Sequence, residues 1–237
     1  VLEFEEIRDR LAEFAVSSCG KNEICRLMPS HDYRDVEYNL RLTDEVYTVK
    51  NKYLVNPVSE FDDISEILDK ANAGATLRPG ELLKVANVLR CARIAKSEIS
   101  VLGDDVNALK SIVSAIVLDR NLETQIGDAV AGENELKDDA SEKLRDIRRK
   151  IHGANAKLKE KIAGYTRNSN VSKYLQDNIV TVRMGRFLLP VRSECRSMVQ
   201  GLIHDQSSSG STVFIEPFPI VELNNELKYL QMEEQRE

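Results

Sequence analysis

The residues of this 237-residue chain that could do chemistry fall into one polar segment and one basic segment. The polar segment runs from His204 to Gly210 and places a histidine, an aspartate and three serines close together. Such side chains act in nucleophilic catalysis only when folding gives them a defined geometry, with a buried aspartate and an oxyanion hole. A polar hairpin loop explains the same residue types more simply, so we interpret the segment as a loop.

The sequence contains no other catalytic or metal-binding pattern. It has no Gly-x-x-x-x-Gly-Lys-Ser/Thr stretch that would form a phosphate loop. The histidines at 31, 152 and 204 are too scattered to suggest a metal site. The four cysteines show no CxxC spacing, and we expect buried free thiols in a reducing, cytoplasmic compartment. The sequence therefore predicts no catalytic constellation, no metal and no cofactor in this chain.

The basic residues are concentrated in one part of the chain. Residues 143–204 contain fourteen Lys and Arg against four Asp and Glu, which is a net charge of +10. The rest of the chain contains nineteen basic and thirty-five acidic residues, which is a net charge of −16. An acidic protein with one basic section is expected when that section faces a polyanion. An ordinary solvated helix surface explains the charge equally well.

Eight residues of this section are candidate contacts to a nucleic acid. Phosphates attract basic side chains without sequence preference, and aromatic residues for base stacking are only 5% of the chain. We expect Arg183 and Arg186 to project at an exposed corner, so that replacing both by Glu weakens binding and leaves the melting temperature nearly unchanged. Arg148, Arg149 and Lys150 rank lower, because they could pair with acidic residues across two helices. The eight candidates are Lys159, Lys161, Arg167, Lys173, Arg183, Arg186, Arg192 and Arg196.

The elements that must position these residues are mainly helical. Gly and Pro are scarce, with 11 and 6 residues, which favours long uninterrupted elements. No run of about 18 apolar residues predicts a membrane span. Up to about residue 135, apolar residues recur at helical spacing and predict a compact bundle. Two of the faces expected to be buried there are Phe4, Ile7, Leu11 and Phe14, in a helix over residues 2–17, and Val36, Leu40, Thr43 and Val46/Tyr47.

The pattern from Ala140 to Tyr165 predicts one long helix. Its apolar residues form a narrow line surrounded by charge, which is typical of a helix in an antiparallel coiled coil. At 1.5 Å per residue the helix would project by roughly 40 Å. Its expected partner is the helix that begins near Val221. The line consists of Ala140, Leu144, Ile147, Ile151, Ala154, Leu158, Ile162 and Tyr165.

The only strand signal lies between these two helices and predicts two hairpins. Met184-Gly185 is a two-residue hairpin connection, in which Gly supplies a positive φ. Pro190 cannot donate a ladder hydrogen bond, so that part of its strand should be an edge or a strand end. The expected strands are 179–183, 186–191, 199–203 and 211–215, with the polar loop 204–210 between the last two.

Two long runs resemble the MutS type 2 family. The first, within residues 172–191, contains SKYLQD, IVTVR and GRFLLPV, and the second, within residues 201–227, contains GLIHDQSSSGSTVFIEP and VELNNEL. The opening LEF and AVSS followed by GK are also similar, and the resemblance covers nearly the whole chain, least between 50 and 135. The turn departs from the family pattern, since Met184-Gly185 stands where Asn-Gly is expected.

The resemblance implies a helical core or lever over residues 1–135 and a clamp arm over residues 136–237. The arm would be an antiparallel coiled coil carrying a small antiparallel β tip, at about 172–216, and the start of a returning helix. The chain would be a piece of a longer protein that continues into a dimerising ATPase domain, where ATP and Mg are expected, and an Smr nuclease domain. This piece itself would be monomeric and non-catalytic.

The implied partners are nucleic acids. The family resembles proteins that bind branched or duplex DNA and suppress recombination, and some members act on ribosomal RNA of stalled ribosomes; no membrane contact is expected. A protein-interaction module is the alternative, with the arm docking on a protein and the basic tip contacting an acidic partner. Salt-dependent binding separates the two hypotheses, because phosphate contacts give affinities that fall steeply with salt.

Overall fold

The computed structural model describes residues 3–237, which divide after Lys137 into two compact units. Leu2, the first residue of the expected N-terminal helix, lies outside the described residues. The first unit contains seven α-helices among its described residues, a short 3-10 helix at Asp104–Val106 and a small antiparallel pair of strands. The helices are α1 (Phe4–Glu13), α2 (Ser18–Cys25), α3 (Tyr33–Asn51), α4 (Ser65–Asn72), α5 (Pro79–Ser100), α6 (Asn107–Ser114) and α7 (Arg120–Ala129).

Local sequence accounts for several of these helix starts. Asp32 and Asp119 each accept a hydrogen bond from a backbone N–H in the first turn of the helix that follows, at 2.8 and 2.9 Å. Pro79 occupies the first turn of α5, where its missing N–H is not needed. The strands β1 (Val130–Gly132) and β2 (Glu135–Leu136) were not expected, because strand patterns in the sequence begin only after residue 178.

The expected buried faces of α1 and α3 are wrong. Ile7, Leu11 and Phe14 are exposed, with 80% of Phe14 accessible, and Leu40 is 65% accessible. Phe4 is half-buried. Helical periodicity identifies an amphipathic helix, but the face that becomes buried depends on which other segments pack against it.

The buried face of α3 carries Glu45 and Val49 instead. The two carboxylate oxygens of Glu45 accept hydrogen bonds from the backbone N–H groups of Ala108 and Leu109, at 3.1 and 2.8 Å. These groups lie in the first turn of α6, where N–H groups have no partner within the helix. A buried carboxylate is stabilised there by hydrogen bonds and by the helix dipole.

Along the chain, the second unit contains two helices, then the strands of a four-stranded sheet, and then a final helix. The long helix expected from Ala140 to Tyr165 is α8, and its line of apolar residues is buried or half-buried. The elements are α8 (Glu142–Arg167), α9 (Ser169–Ser172), β3 (Thr181–Arg183), β4 (Arg186–Arg192), a 3-10 helix (Ser193–Met198), β5 (Gly201–Gln206), β6 (Thr212–Pro217) and α10 (Phe218–Arg236).

Helices α8 and α10 lie side by side in opposite directions. Lys143, at the start of α8, pairs with Glu237 after the end of α10, with 2.7 Å between Nζ and Oε2. Further along, Arg148 Nε pairs with Glu234 Oε1 at 2.8 Å. Knobs-into-holes packing of a coiled coil between the two helices stays a prediction.

The sheet is antiparallel in the order β3-β4-β6-β5, and its central strands β4 and β6 are buried. One continuous core joins α8, the sheet and α10, and includes Leu158, Ile162, Leu189, Ile215 and Leu227. At Gly201 the sheet requires glycine, because an added Cβ would lie 2.2 Å from the carbonyl oxygen of Glu216.

Two details of the hairpins differ from expectation. Strand β5 continues to Gln206, so His204 and Asp205 lie in a strand and the connecting loop is 207–211. The ladder is irregular between Ile203 and Asp205, which places His204 at a bulge. Pro190 pairs in register with Phe214 of β6. On the other edge of β4, Pro190 lies past the start of β3, and its carbonyl oxygen accepts a hydrogen bond from Gln176 N.

The four cysteines are all free thiols, but only Cys91 is buried. Cys25 is exposed, and Cys19 and Cys195 are half-buried, so the expectation of four buried thiols is wrong. Among residues 3–237, no group of His, Cys, Asp and Glu is arranged to hold a metal ion. Within the same range, no helix is both long and apolar enough to span a bilayer.

Candidate nucleic-acid interface

Five of the eight candidate cations are exposed: Lys159, Lys161, Arg167, Lys173 and Arg196. Within the described part of the chain, none of these five has an ion-pair partner. The Lys173 ammonium lies 5.0 Å from the ring centroid of Tyr174, an exposed cation–π contact. Lys159 and Lys161 project from opposite sides of α8, since two residues correspond to about 200° of helix rotation. The five cations therefore do not share a single surface.

Arg183 is engaged within the sheet. Its guanidinium pairs with Asp205 of β5 and lies 3.7 Å from the ring centroid of Phe214. The hydrogen bond from Arg183 holds the pKa of Asp205 below its ordinary value. Arg183 therefore covers a buried aromatic ring, although 40% of its side chain stays accessible.

Arg186 is not at an exposed corner, so that prediction is wrong. Only 19% of its side chain is accessible, and Nη1 lies 2.5 Å from Oε1 of Glu216, whose side chain has no exposed surface. A second guanidinium nitrogen contacts Asn225 of α10. Replacing Arg186 by Glu would place a carboxylate against a buried carboxylate. The expected unchanged melting temperature of the Arg183→Glu, Arg186→Glu double variant therefore conflicts with the structure.

A buried polar cluster surrounds Glu216, and it was not predicted from the sequence. His204 Nε2 lies 2.5 Å from Glu216 Oε2, and Asn224 Nδ2 donates to Glu216 Oε1 at 2.6 Å. The Asn224 side chain also bonds the backbone N–H and C=O of Phe187, at 3.1 and 3.2 Å. The cluster ties three strands to α10. The one sequence signal for it was a charged residue directly after the apolar run 213–215.

Arg192 also acts within the fold. Its Nε donates to the carbonyl oxygen of Leu175 at 3.3 Å, and a second nitrogen donates to the carbonyl of Lys173. These bonds hold the chain after α9 along the end of β4. Arg192 therefore positions the neighbouring Lys173 rather than standing free.

Of the three lower-ranked residues Arg148, Arg149 and Lys150, one pairs across the two helices as predicted. Arg148 pairs across the two helices with Glu234 and also contacts Asp138 at 2.6 Å, which confirms that hypothesis for this residue. Arg149 pairs with Asp146 of its own helix, at 3.2 Å, and within residues 3–237 it forms no ion pair with α10. Lys150 is exposed and has no ion pair within residues 3–237.

The β3–β4 turn lies beside α10, because Arg186 and Phe187 contact Asn225 and Asn224. The opposite end of β4 adjoins Lys173 and the loop 207–211, where Ser193 N bonds Ser211 O at 3.0 Å. The free cation Lys173 and the serine-rich loop therefore lie at the end of the sheet away from that turn.

The chain is similar over its whole length to bacterial proteins named Endonuclease MutS2. It is 38% identical to that of Ruminiclostridium cellulolyticum over 239 residues, 38% to that of Acetivibrio thermocellus over 240 and 40% to that of Clostridioides difficile over 240. The chain spans about 30% of the length of each. No model of a protein family matches it. Since these alignments cover the whole chain at 38–40% identity, the chain belongs to the MutS type 2 family.

Proposed function

We propose that this chain is the non-catalytic core and clamp portion of a MutS type 2 protein, and that residues 138–237 hold a nucleic acid by its phosphates. The observation that carries the proposal is the set of exposed, unpaired cations on α8 and after it. Arg183, Arg186 and Arg192 contribute by holding the sheet in shape. The candidate contact cations are then Lys159, Lys161, Arg167, Lys173 and Arg196; because they lie on more than one side of the unit, a single nucleic acid would meet a subset of them.

Branched DNA is the proposed ligand, with ribosomal RNA of stalled ribosomes as the second polyanion. The relatives are named endonucleases, and an endonuclease cleaves nucleic acid. In the longer protein, an ATPase domain with ATP and Mg would form a homodimer and an Smr domain would cleave, in the cytoplasm. This chain would bind the nucleic acid, as a coiled-coil arm carrying a β tip.

The test is a titration of the chain with branched DNA, duplex DNA and structured RNA over a series of salt concentrations. Each phosphate contact should contribute a slope of about −0.9 to log K against log salt on duplex DNA, so a duplex that met all five cations would give about −4.5 and one that met fewer would give a less negative slope. ATP turnover of the chain should equal the background rate. Saturable hydrolysis, or no binding to any of the three at low salt, would contradict the proposal.

A protein-docking role is the second candidate, and it fits the first unit better. The exposed apolar faces of α1 and α3, with Phe14 80% and Leu40 65% accessible, are surfaces that proteins cover. That unit contains seventeen basic and twenty-five acidic residues, a net charge of −8, which repels nucleic acid. If residues 138–237 bound an acidic protein and no nucleic acid, docking would replace the first proposal.

A further inference from the structure

One side of α8 carries three exposed lysines, Lys150, Lys157 and Lys161. Spacings of seven and four residues place them within about 40° of one another around the helix and within about 16 Å along its axis. None of the three has an ion pair within the described residues. We call these three residues the lysine strip. Lys161 alone among them was a candidate from the sequence.

The lysine strip is unfavourable for the isolated helix. Lys157 and Lys161 are four residues apart, where like charges repel and destabilise a helix. The nearby acidic residues do not neutralise them: Asp146 is engaged by Arg149 at 3.2 Å, and Glu160 forms no ion pair with either lysine within 4.0 Å. The positive charge on this side is therefore available to a ligand.

Two glycines leave the same side of the helix without side chains at their positions. Gly153 and Gly164 are eleven residues apart, which is about three helical turns, and both face the side of the lysine strip. Glycine inside a helix is less stable than alanine. Packing does not require it here, because an added Cβ at either position would meet nothing within 4 Å. The glycines leave the helix backbone open to close approach between the lysines.

We propose that the lysine strip, with Gly153 and Gly164 between and beside its members, binds the sugar–phosphate backbone of duplex DNA lying along α8. The inference rests on the proposed function and assigns it to one side of the arm. The axial span of about 16 Å corresponds to about five base-pair rises of B-DNA. The closely spaced phosphates of a duplex offset the repulsion between Lys157 and Lys161, and a helix side without bulky groups lets the backbone approach.

The first experiment compares two triple variants of the whole chain on one duplex DNA oligonucleotide. Lys150→Gln, Lys157→Gln, Lys161→Gln removes the strip. Arg145→Gln, Lys228→Gln, Arg236→Gln removes three exposed charges from elsewhere on α8 and α10. We expect the strip variant to lose at least about tenfold in affinity at low salt, with a salt slope less negative by about 2.7. The control should stay within about twofold of the wild type, and equal losses would overturn the inference.

A second pair of variants changes no charge. Gly153→Gln places a long neutral side chain between the lysines, and Ala156→Gln places the same side chain at an exposed position about 120° around α8 from the centre of the lysine strip. We expect Gly153→Gln to raise the melting temperature and to weaken duplex binding severalfold, with Ala156→Gln binding like the wild type. Equal binding by both would contradict a backbone lying on the strip.

The two proposals fail in different ways. If the wild type binds no nucleic acid, the proposed function fails. If the wild type binds but the strip and control variants are alike, only the strip is wrong. If the strip variant loses binding to polyglutamate as strongly as to duplex DNA, and the wild type binds both equally, the strip is a site for acidic proteins and the DNA assignment is overturned.

Discussion

Glu216 has no exposed surface, and its carboxylate meets Arg186, His204 and Asn224. A buried carboxylate is tolerated only when hydrogen bonds and opposite charge replace its water. At the residue scale, the charges of this region thus fall into two kinds: those held inside the sheet, which determine its stability, and those left free on its surface, which can meet a ligand.

Arg186→Leu should destabilise the second unit by about 3 kcal/mol, because it leaves the carboxylate of Glu216 buried without its main partner. Urea unfolding of the whole chain measures the change. Arg196→Leu is the matched control, since Arg196 is exposed and unpaired within residues 3–237, and it should change stability little. A loss below about 1 kcal/mol for Arg186→Leu would mean that the pair is not important for folding.

Met184→Asn should stabilise the chain by about 1 kcal/mol. Met184 and Gly185 have φ of 49° and 72°, so both central residues of the hairpin turn are left-handed. Asn adopts that conformation at a lower cost than Met, and the Met184 side chain, 82% accessible, contributes little packing. Denaturant midpoints should rise for Met184→Asn and stay unchanged for Met184→Leu. An equal response of the two variants would refute strain at this turn.

At the element scale, Asp105 joins the end of α3 to the 3-10 turn before α6. Its carboxylate accepts hydrogen bonds from Lys52 Nζ at 2.7 Å and from Tyr53 Oη at 2.6 Å. The bond from Lys52, followed by that from Tyr53, lowers the pKa of Asp105 from 3.8 to about 2. The carboxylate is therefore more acidic in the folded chain than in the unfolded one.

The contribution of Asp105 to the free energy of unfolding should decrease as the pH is lowered. A lowered pKa in the folded state stabilises the chain above pH 3.8, and the effect is lost as the pH falls towards 2. Asp105→Asn should therefore lower the free energy of unfolding at pH 7, and its difference from the wild type should shrink between pH 4 and pH 2. Asp128→Asn, at an exposed side chain with no ion pair within residues 3–237, serves as control. A constant difference for Asp105→Asn across that range would refute the assignment.

At the scale of the whole molecule, the two units differ in charge and each has its own contacts. Residues 138–237 contain sixteen basic and fourteen acidic residues, a net charge of +2, against −8 for residues 1–137. A buried hydrophobic cluster that includes Leu158, Ile215 and Leu227 lies entirely within residues 138–237. A unit with a self-contained core can fold without the rest of the chain.

Residues 138–237 produced alone should unfold cooperatively and keep most of the nucleic-acid affinity of the whole chain. Residues 1–137 should show no salt-dependent binding, because their net charge repels phosphate. Thermal melts followed by circular dichroism and duplex titrations measure both. Binding confined to residues 1–137 would show that the acidic unit, and not residues 138–237, holds the ligand.

Much of the architecture follows from patterns within short stretches of sequence. The long helix α8, the hairpin around Gly185 and the basic section 143–204 could be predicted because helical period, turn geometry and charge are local properties. The family resemblance also depends on linear runs of residues.

The sequence by itself determined the elements, the charged section and the family, whereas the tertiary structure decided which side chains are free. Arg186 meets Glu216 across 30 residues and Asn225 across 39, and Glu45 meets Ala108 across 63. Such partners are set by strand order and helix packing. Local periodicity cannot distinguish an exposed arginine from a buried one, because the free energy of each depends on groups that only folding brings together.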